Sequence, residues 1–246
     1  MDKKPWISGP GEILNHALTL LKNDSDVNRR LAMISIDNSI ELMIKTFLGL
    51  PKRVTNLNIT RKEFEEASES FPRLLDTLEK FASDRLEGID LGEIEWYHRL
   101  RNQLYHQGNG LTVEKNKVQV YAELAKILFK NLFAVNLEFN LSDSKEMSVL
   151  ENFMELWIKI ERLIREIFIK NNNIEKEKSK FITPTQSILR NLEKNSILDS
   201  ETVADLIDVS QARNGIVHGI QDYKTVTDKD MIDKMKKVVK TLEGKL

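Results

Sequence analysis

The chain has 246 residues, of which 41% are hydrophobic and 30% charged, enough to build one large domain or two small ones around a full core. Its 37 basic and 38 acidic side chains leave a formal net charge of -1, which excludes capture of nucleic acid by overall charge and leaves only a local basic patch open. Cysteine is absent, so disulfides, thiolate metal sites and thiol nucleophiles are excluded; the four histidines, His16, His98, His106 and His218, show no zinc-ligand spacing.

Glycine and proline are scarce, at 10 and 5, and apolar residues recur at helical spacing, so an all-α fold is expected. The first helix is expected to follow Ser8-Gly9-Pro10-Gly11 and end near Lys22. Asp24 or Ser25 then caps a second, whose stripe is Ile36, Ile40, Met43, Ile44 and Phe47, and Pro51 stops it. The stretch 54–60 supplies at most an irregular loop. Short helices over 61–69 and 72–85 are followed by one over 91–107, closed by Gly108 and Gly110. A long helix over 114–135 completes the first half.

Residues 136–143 break the period and read as a linker, which sets the expected domains at 1–140 and 141–246. Phe153, Leu156, Trp157, Ile160 and Ile164 form the next stripe, and the polar run 170–180 is a solvated loop. Thr183, Pro184 and Gln186 form a capping box, as do Thr227 and Asp230 before the last helix; between them Asp199 or Ser200 opens a helix ending near Gly219. The basic end of the last helix, Lys234, Lys236, Lys237 and Lys240, follows Asp228, Asp230 and Asp233. That is the order a helix dipole favours, so it reads as a solvated face.

Two of these helices carry the same hexapeptide pattern. Arg101-Asn102-Gln103-Leu104-Tyr105-His106 and Arg213-Asn214-Gly215-Ile216-Val217-His218 both read R-N-x-x-x-H, 112 residues apart. Both lie near a helix C-terminus and just before a glycine. At this offset Leu91, Ile94, Tyr97, Leu104 and Tyr105 face Val203, Leu206, Val209, Ile216 and Val217, apolar against apolar, as an internal duplication would give. From the composition, chance supplies about 0.015 such matches.

Spacing gives the pattern a chemical sense. Each Asn lies four residues before its His and shares its helix face. Each Arg lies five before it, about 140° around the axis. Two such helices side by side would bring two arginines and two histidines to one cleft. Arginine holds a phosphate with a fork that keeps its charge, and histidine moves protons near neutral pH. That set suits cleavage of RNA through its own 2′-hydroxyl, with no metal or cofactor.

At these residues the sequence resembles the HEPN superfamily, helical bundles of four or five helices marked by R-x(4–6)-H. The resemblance covers both halves, as a tandem pair related by a pseudo-twofold. It implies a metal-independent endoribonuclease of toxin or antiphage-defence type, acting on single-stranded or loop RNA at a composite site. Arg101 and Arg213 would hold the phosphate, His106 and His218 would be general acid and base, and Asn102 and Asn214 would contact substrate. The site would close within one chain or across a homodimer. An antitoxin or defence-system protein is the implied partner. Gly108 and Ile220 stand where many HEPN toxins carry a modifiable tyrosine, so silencing by adenylylation is not expected.

Other readings stand beside this one. A non-catalytic HEPN module would bind nucleotide, RNA or a partner protein, with its Arg–His pairs on separate surfaces or buried. A regulatory subunit would expose a large apolar patch. His98 reads as a structural or surface histidine rather than an auxiliary RNA contact, since Ser210 stands at its offset position; His16 reads as a boundary residue. Trp96, Tyr97 and Tyr105 read as core before base-stacking groups, and Trp157 as core. The N-terminal residues lack a signal-peptide stretch, and seven charges interrupt the most apolar helix, so a cytoplasmic protein without membrane segments is expected.

Overall fold

The computed structural model describes residues 4–107, 112–137, 145–172 and 185–246, with the side chains of 105–107 and 145–148 left out. The described residues are helical with no strand, an all-α protein. The helix end at Gly108 and Gly110, most of the expected linker, most of the polar run and the Thr183 cap lie outside the described residues. The chain forms two compact units, Met1–Leu141 and Ser142–Leu246.

The first unit is built on α2 (Asp26–Gly49), which α1 (Pro5–Lys22), α5 (Phe71–Ala82), α6 (Leu91–Gln107) and α7 (Lys115–Phe133) pack against. Between them lie α3 (Lys52–Thr55) and α4 (Arg61–Ala67). Ser25 opens α2 by accepting the Asn28 N–H at 3.1 Å. Met33, Ile36, Ile40, Met43 and Ile44 are wholly buried, which makes α2 the centre of the core. The helix α4 opens on a capping box, in which the Thr60 backbone N–H holds the Glu63 carboxyl below its ordinary range.

The start of α1 differs from the expectation. The helix begins at Pro5 and runs through Gly9-Pro10-Gly11. A proline inside a helix removes the N–H for the carbonyl four residues back, so local signals argue for a boundary here. Packing overrides them. Gly11 is buried, with the Phe129 ring of α7 and Leu137 packed over it at van der Waals distance. The buried Ser39 hydroxyl donates to the Pro10 carbonyl at 2.8 Å, tying α1 to α2.

The second unit is built on α8 (Lys145–Asn171) and α12 (Lys229–Glu243). The long α8 packs on α9 (Thr185–Lys194) and α12, and α10 (Ser200–Val217) packs on α9 and α12. Phe153, Trp157, Ile160 and Ile164 of α8 are buried, as their stripe predicts. Asp199 caps α10 by accepting the Thr202 N–H at 2.8 Å, and that bond lowers its carboxyl pKa.

A short helix, α11 (Tyr223–Val226), follows and was not foreseen. It changes the cap of α12. The buried Thr227 hydroxyl donates to the Tyr223 carbonyl at 2.7 Å, and Asp228 accepts the Met231 N–H instead. Lys234 and Lys237 lie against Asp205, Asp208 and Glu201 of α10; the hydrogen bonds they donate to Asp208 and Glu201 raise their pKa values. Two of the four lysines at the basic end of α12 are thus paired with α10. No helix among the described residues is long and apolar enough to cross a membrane.

Candidate active site

In the first unit, Arg101 sits in a polar cluster built around one carboxylate. Asp37 of α2 is wholly buried on the same side as the apolar stripe. The His98 Nδ1–H lies 3.1 and 3.0 Å from its two oxygens, and Tyr121 of α7 donates its hydroxyl to Oδ1 at 2.8 Å. An ionised carboxylate only accepts, so Nδ1 is the protonated ring nitrogen of His98. Arg101 Nε lies 3.2 Å from Asp37 Oδ2, near enough for an ion pair though not aligned as a hydrogen bond.

The rest of the guanidinium is held from both sides. Nη1 donates to Asn102 Oδ1 at 2.9 Å, and Nη2 donates to Asn38 Oδ1 at 2.8 Å. His98 stacks on Phe71 with centroids 4.0 Å apart, and Tyr97 stacks on Tyr121 at 4.5 Å. This stacking holds in place the two rings, His98 and Tyr121, that bond Asp37. Burial first, then the Asp37 charge, pushes the Tyr121 hydroxyl well above its ordinary pKa, so it remains a donor. The result is an arginine fixed in one place, its side chain 18% exposed at the edge of the core.

The structure thus joins Arg101 with Asn102, and adds Asp37, Asn38, His98 and Tyr121, which the motif did not name. His98 takes its structural reading. Asp37 left one trace in sequence: an acid one residue from Ile36 and three from Ile40, inside an apolar stripe. Tyr97 is wholly buried, so it is core and not a base-stacking platform. His106 lies within α6, but its side chain and that of Tyr105 are outside the described residues.

In the second unit the same hexapeptide is arranged differently. Arg213 is buried, at 5% exposure, while Asn214 and His218 are exposed. His218 is the C-cap of α10, and its N–H bonds to the Asn214 carbonyl at 3.0 Å. The chain then turns in a Schellman motif: Ile220 N–H reaches the Gly215 carbonyl at 2.8 Å and Gly219 N–H the Ile216 carbonyl at 3.0 Å. Gly219 takes the left-handed conformation this needs, at φ 65°. The Gln221 side chain folds over Gly215, where a Cβ would stand 2.4 Å from its Oε1. His218 therefore presents its ring at the mouth of a tight, hydrogen-bonded helix end.

Among the described residues no group of three His, Asp or Glu is placed to hold a metal ion. Comparison with known proteins gives no match to a protein-family model, a curated sequence or a solved structure.

Proposed function

We propose that the protein is an endoribonuclease that uses arginine and histidine in place of a metal. The observation that supports this reading most is the anchoring of Arg101. A guanidinium gripped by Asp37, Asn38 and Asn102 loses little entropy on meeting a phosphate. In the reading, Arg101 and Arg213 stabilise the charge that builds on the phosphoryl oxygens, with Asn102 and Asn214 beside them. One of His106 and His218 takes the proton from a ribose 2′-hydroxyl. The 2′-oxygen then bonds to the adjacent phosphorus, and the P–O5′ bond breaks. The other histidine gives its proton to the departing 5′-oxygen, leaving a 2′,3′-cyclic phosphate and a 5′-hydroxyl. RNA is the partner; a homodimer and an antitoxin or defence protein are the associations the reading carries.

The test is incubation of purified protein with total RNA and tRNA in excess EDTA, beside His106→Ala/His218→Ala. Cleavage with cyclic phosphate ends, reduced about 10²–10⁴-fold in the variant, is the expected result. Equal cleavage by both proteins overturns the reading.

A second reading draws on a specific observation, the burial of Arg213. A buried arginine suits a strut more than a phosphate clamp. A non-catalytic module that binds RNA, nucleotide or protein would give binding without cleavage in the same assay.

A further inference from the structure

A shallow groove lies one turn from the Arg101 cluster. Val27, Leu31 and Ile34 of α2 and Leu104 of α6 line it, Arg30 stands at its edge, and its volume is about 210 Å³. Val27 and Leu31 are 53% and 47% exposed, unusual for large aliphatic side chains in this chain. Val27, Leu31, Ile34 and Asn38 follow one another at spacings of four, three and four residues, so they share a face of α2. Asn38 is the residue that receives Arg101 Nη2. On the other wall, Leu104 is three residues past Arg101. Groove and polar cluster form one continuous strip.

The two ends of the strip differ in chemistry. A guanidinium has only donors, so Asn38 and Asn102 turn their oxygens to it, and their Nδ2 groups face elsewhere. The polar end therefore offers amide N–H donors around a fixed cation. The apolar end offers no polar side chain but Arg30, which makes no ion pair or hydrogen bond among the described residues. Ile34 and Leu31 lie four and seven residues from Asn38, about 6 and 10 Å along the axis. A ligand matched to this strip carries an anion at one end and a flat, apolar-faced group a few ångströms away.

We propose that the groove is a base subsite: it takes one unpaired nucleobase of an RNA strand whose neighbouring phosphate lies on Asn38, Arg101 and Asn102. The base rests on Leu31, Ile34 and Leu104, and the Arg30 guanidinium covers its outer face, as arginine planes do with splayed bases. The groove is smaller than the about 300–1,000 Å³ of a drug-sized pocket, and so suits a single ring system. A peptide helix needs a longer row of anchors. With no hydrogen-bonding side chain on its floor, the groove selects for an unpaired base without reading which base it is. This proposal rests on RNA being the substrate and narrows where on the strand the protein sits.

The test measures binding, apart from cleavage. The full chain is titrated by fluorescence anisotropy with two labelled 2′-O-methyl oligonucleotides, which lack the attacking hydroxyl. One carries bases of mixed sequence; the other has the same length and no bases. Wild type is compared with Val27→Gln/Leu31→Gln, which keeps the charge and alters two exposed positions; circular dichroism checks the fold, and Leu31→Ala repeats the comparison should the double variant unfold. Wild type should prefer the base-bearing strand about tenfold, and the variant should lose that preference while holding the abasic strand unchanged. Equal binding of both strands by wild type, no binding of either, or an unaltered preference in the variant overturns the subsite. Cleavage lost on His106→Ala/His218→Ala without a base preference leaves the nuclease standing and removes the subsite. A base preference without cleavage does the reverse.

Discussion

The helices α6 and α10 carry one pattern and use it in two ways. Their apolar faces agree position by position: Ile94 with Leu206, Tyr97 with Val209 and Leu104 with Ile216 are all buried. Their polar faces do not. Arg101 reaches across to a carboxylate on α2, while Arg213 is buried within five residues of an exposed histidine that caps its own helix. Ser210 replaces His98, so the ring that braces Asp37 has no counterpart on α10. Core spacing is thus shared between the two helices, and the setting of each arginine depends on what the neighbouring helix brings to it.

The sharpest way to break this contrast is to remove the carboxylate. Asp37→Ala should destabilise the first unit by about 3–5 kcal/mol, because it strips the counter-charge from a guanidinium held at the core edge. A loss below about 1 kcal/mol in urea unfolding would mean that Arg101 needs no anchor.

Tyr121→Phe comes next, at about 1.5–3 kcal/mol for a hydrogen bond to a charged group. Its signature lies in pH. The native hydroxyl has a raised pKa, so its contribution is complete below the ordinary tyrosine value near 10 and declines as pH climbs above it. Wild type should therefore lose stability faster than Tyr121→Phe in alkaline unfolding titrations, and parallel curves would contradict the buried hydrogen bond. The smallest effect belongs to the other helix. Gly219→Ala should cost about 1 kcal/mol, from forcing a side chain into the left-handed region at the end of α10. Thermal unfolding without a shift would show that the turn after His218 relaxes freely.

The helices were legible because their stripes are long. The stripe through Ile36, Met43 and Phe47 carries α2, and the one from Phe153 to Ile164 carries α8, with no need of tertiary information. What escaped depended on distant partners or on elements too short to show a period. Pro10 stays inside α1, where Ser39, 29 residues along the chain, donates to its carbonyl. Thr227 gave up its expected cap to α11, a helix of four residues. In the candidate site the Arg–Asn pairing was legible, since both residues lie side by side on α6. Asp37 was hidden, because its partners His98 and Tyr121 stand 61 and 84 residues away. An acid in a stripe announces a partner only once the partner is known.

Gly215 gives the two hexapeptides unequal tolerance of a side chain at one position. Its place in α6 is taken by Gln103, an exposed residue, whereas the chain leaving α10 doubles back onto Gly215, with the Gln221 backbone N–H 2.9 Å from its carbonyl. An exchange of the two segments would not be reciprocal. Grafting the α10 hexapeptide into α6 would put a glycine at an exposed position, while the α6 hexapeptide in α10 would place a side chain where that of Gln221 lies, which must swing aside. Of the three spacer positions in the pattern, the first is therefore exposed in α6 and covered by a neighbouring side chain in α10.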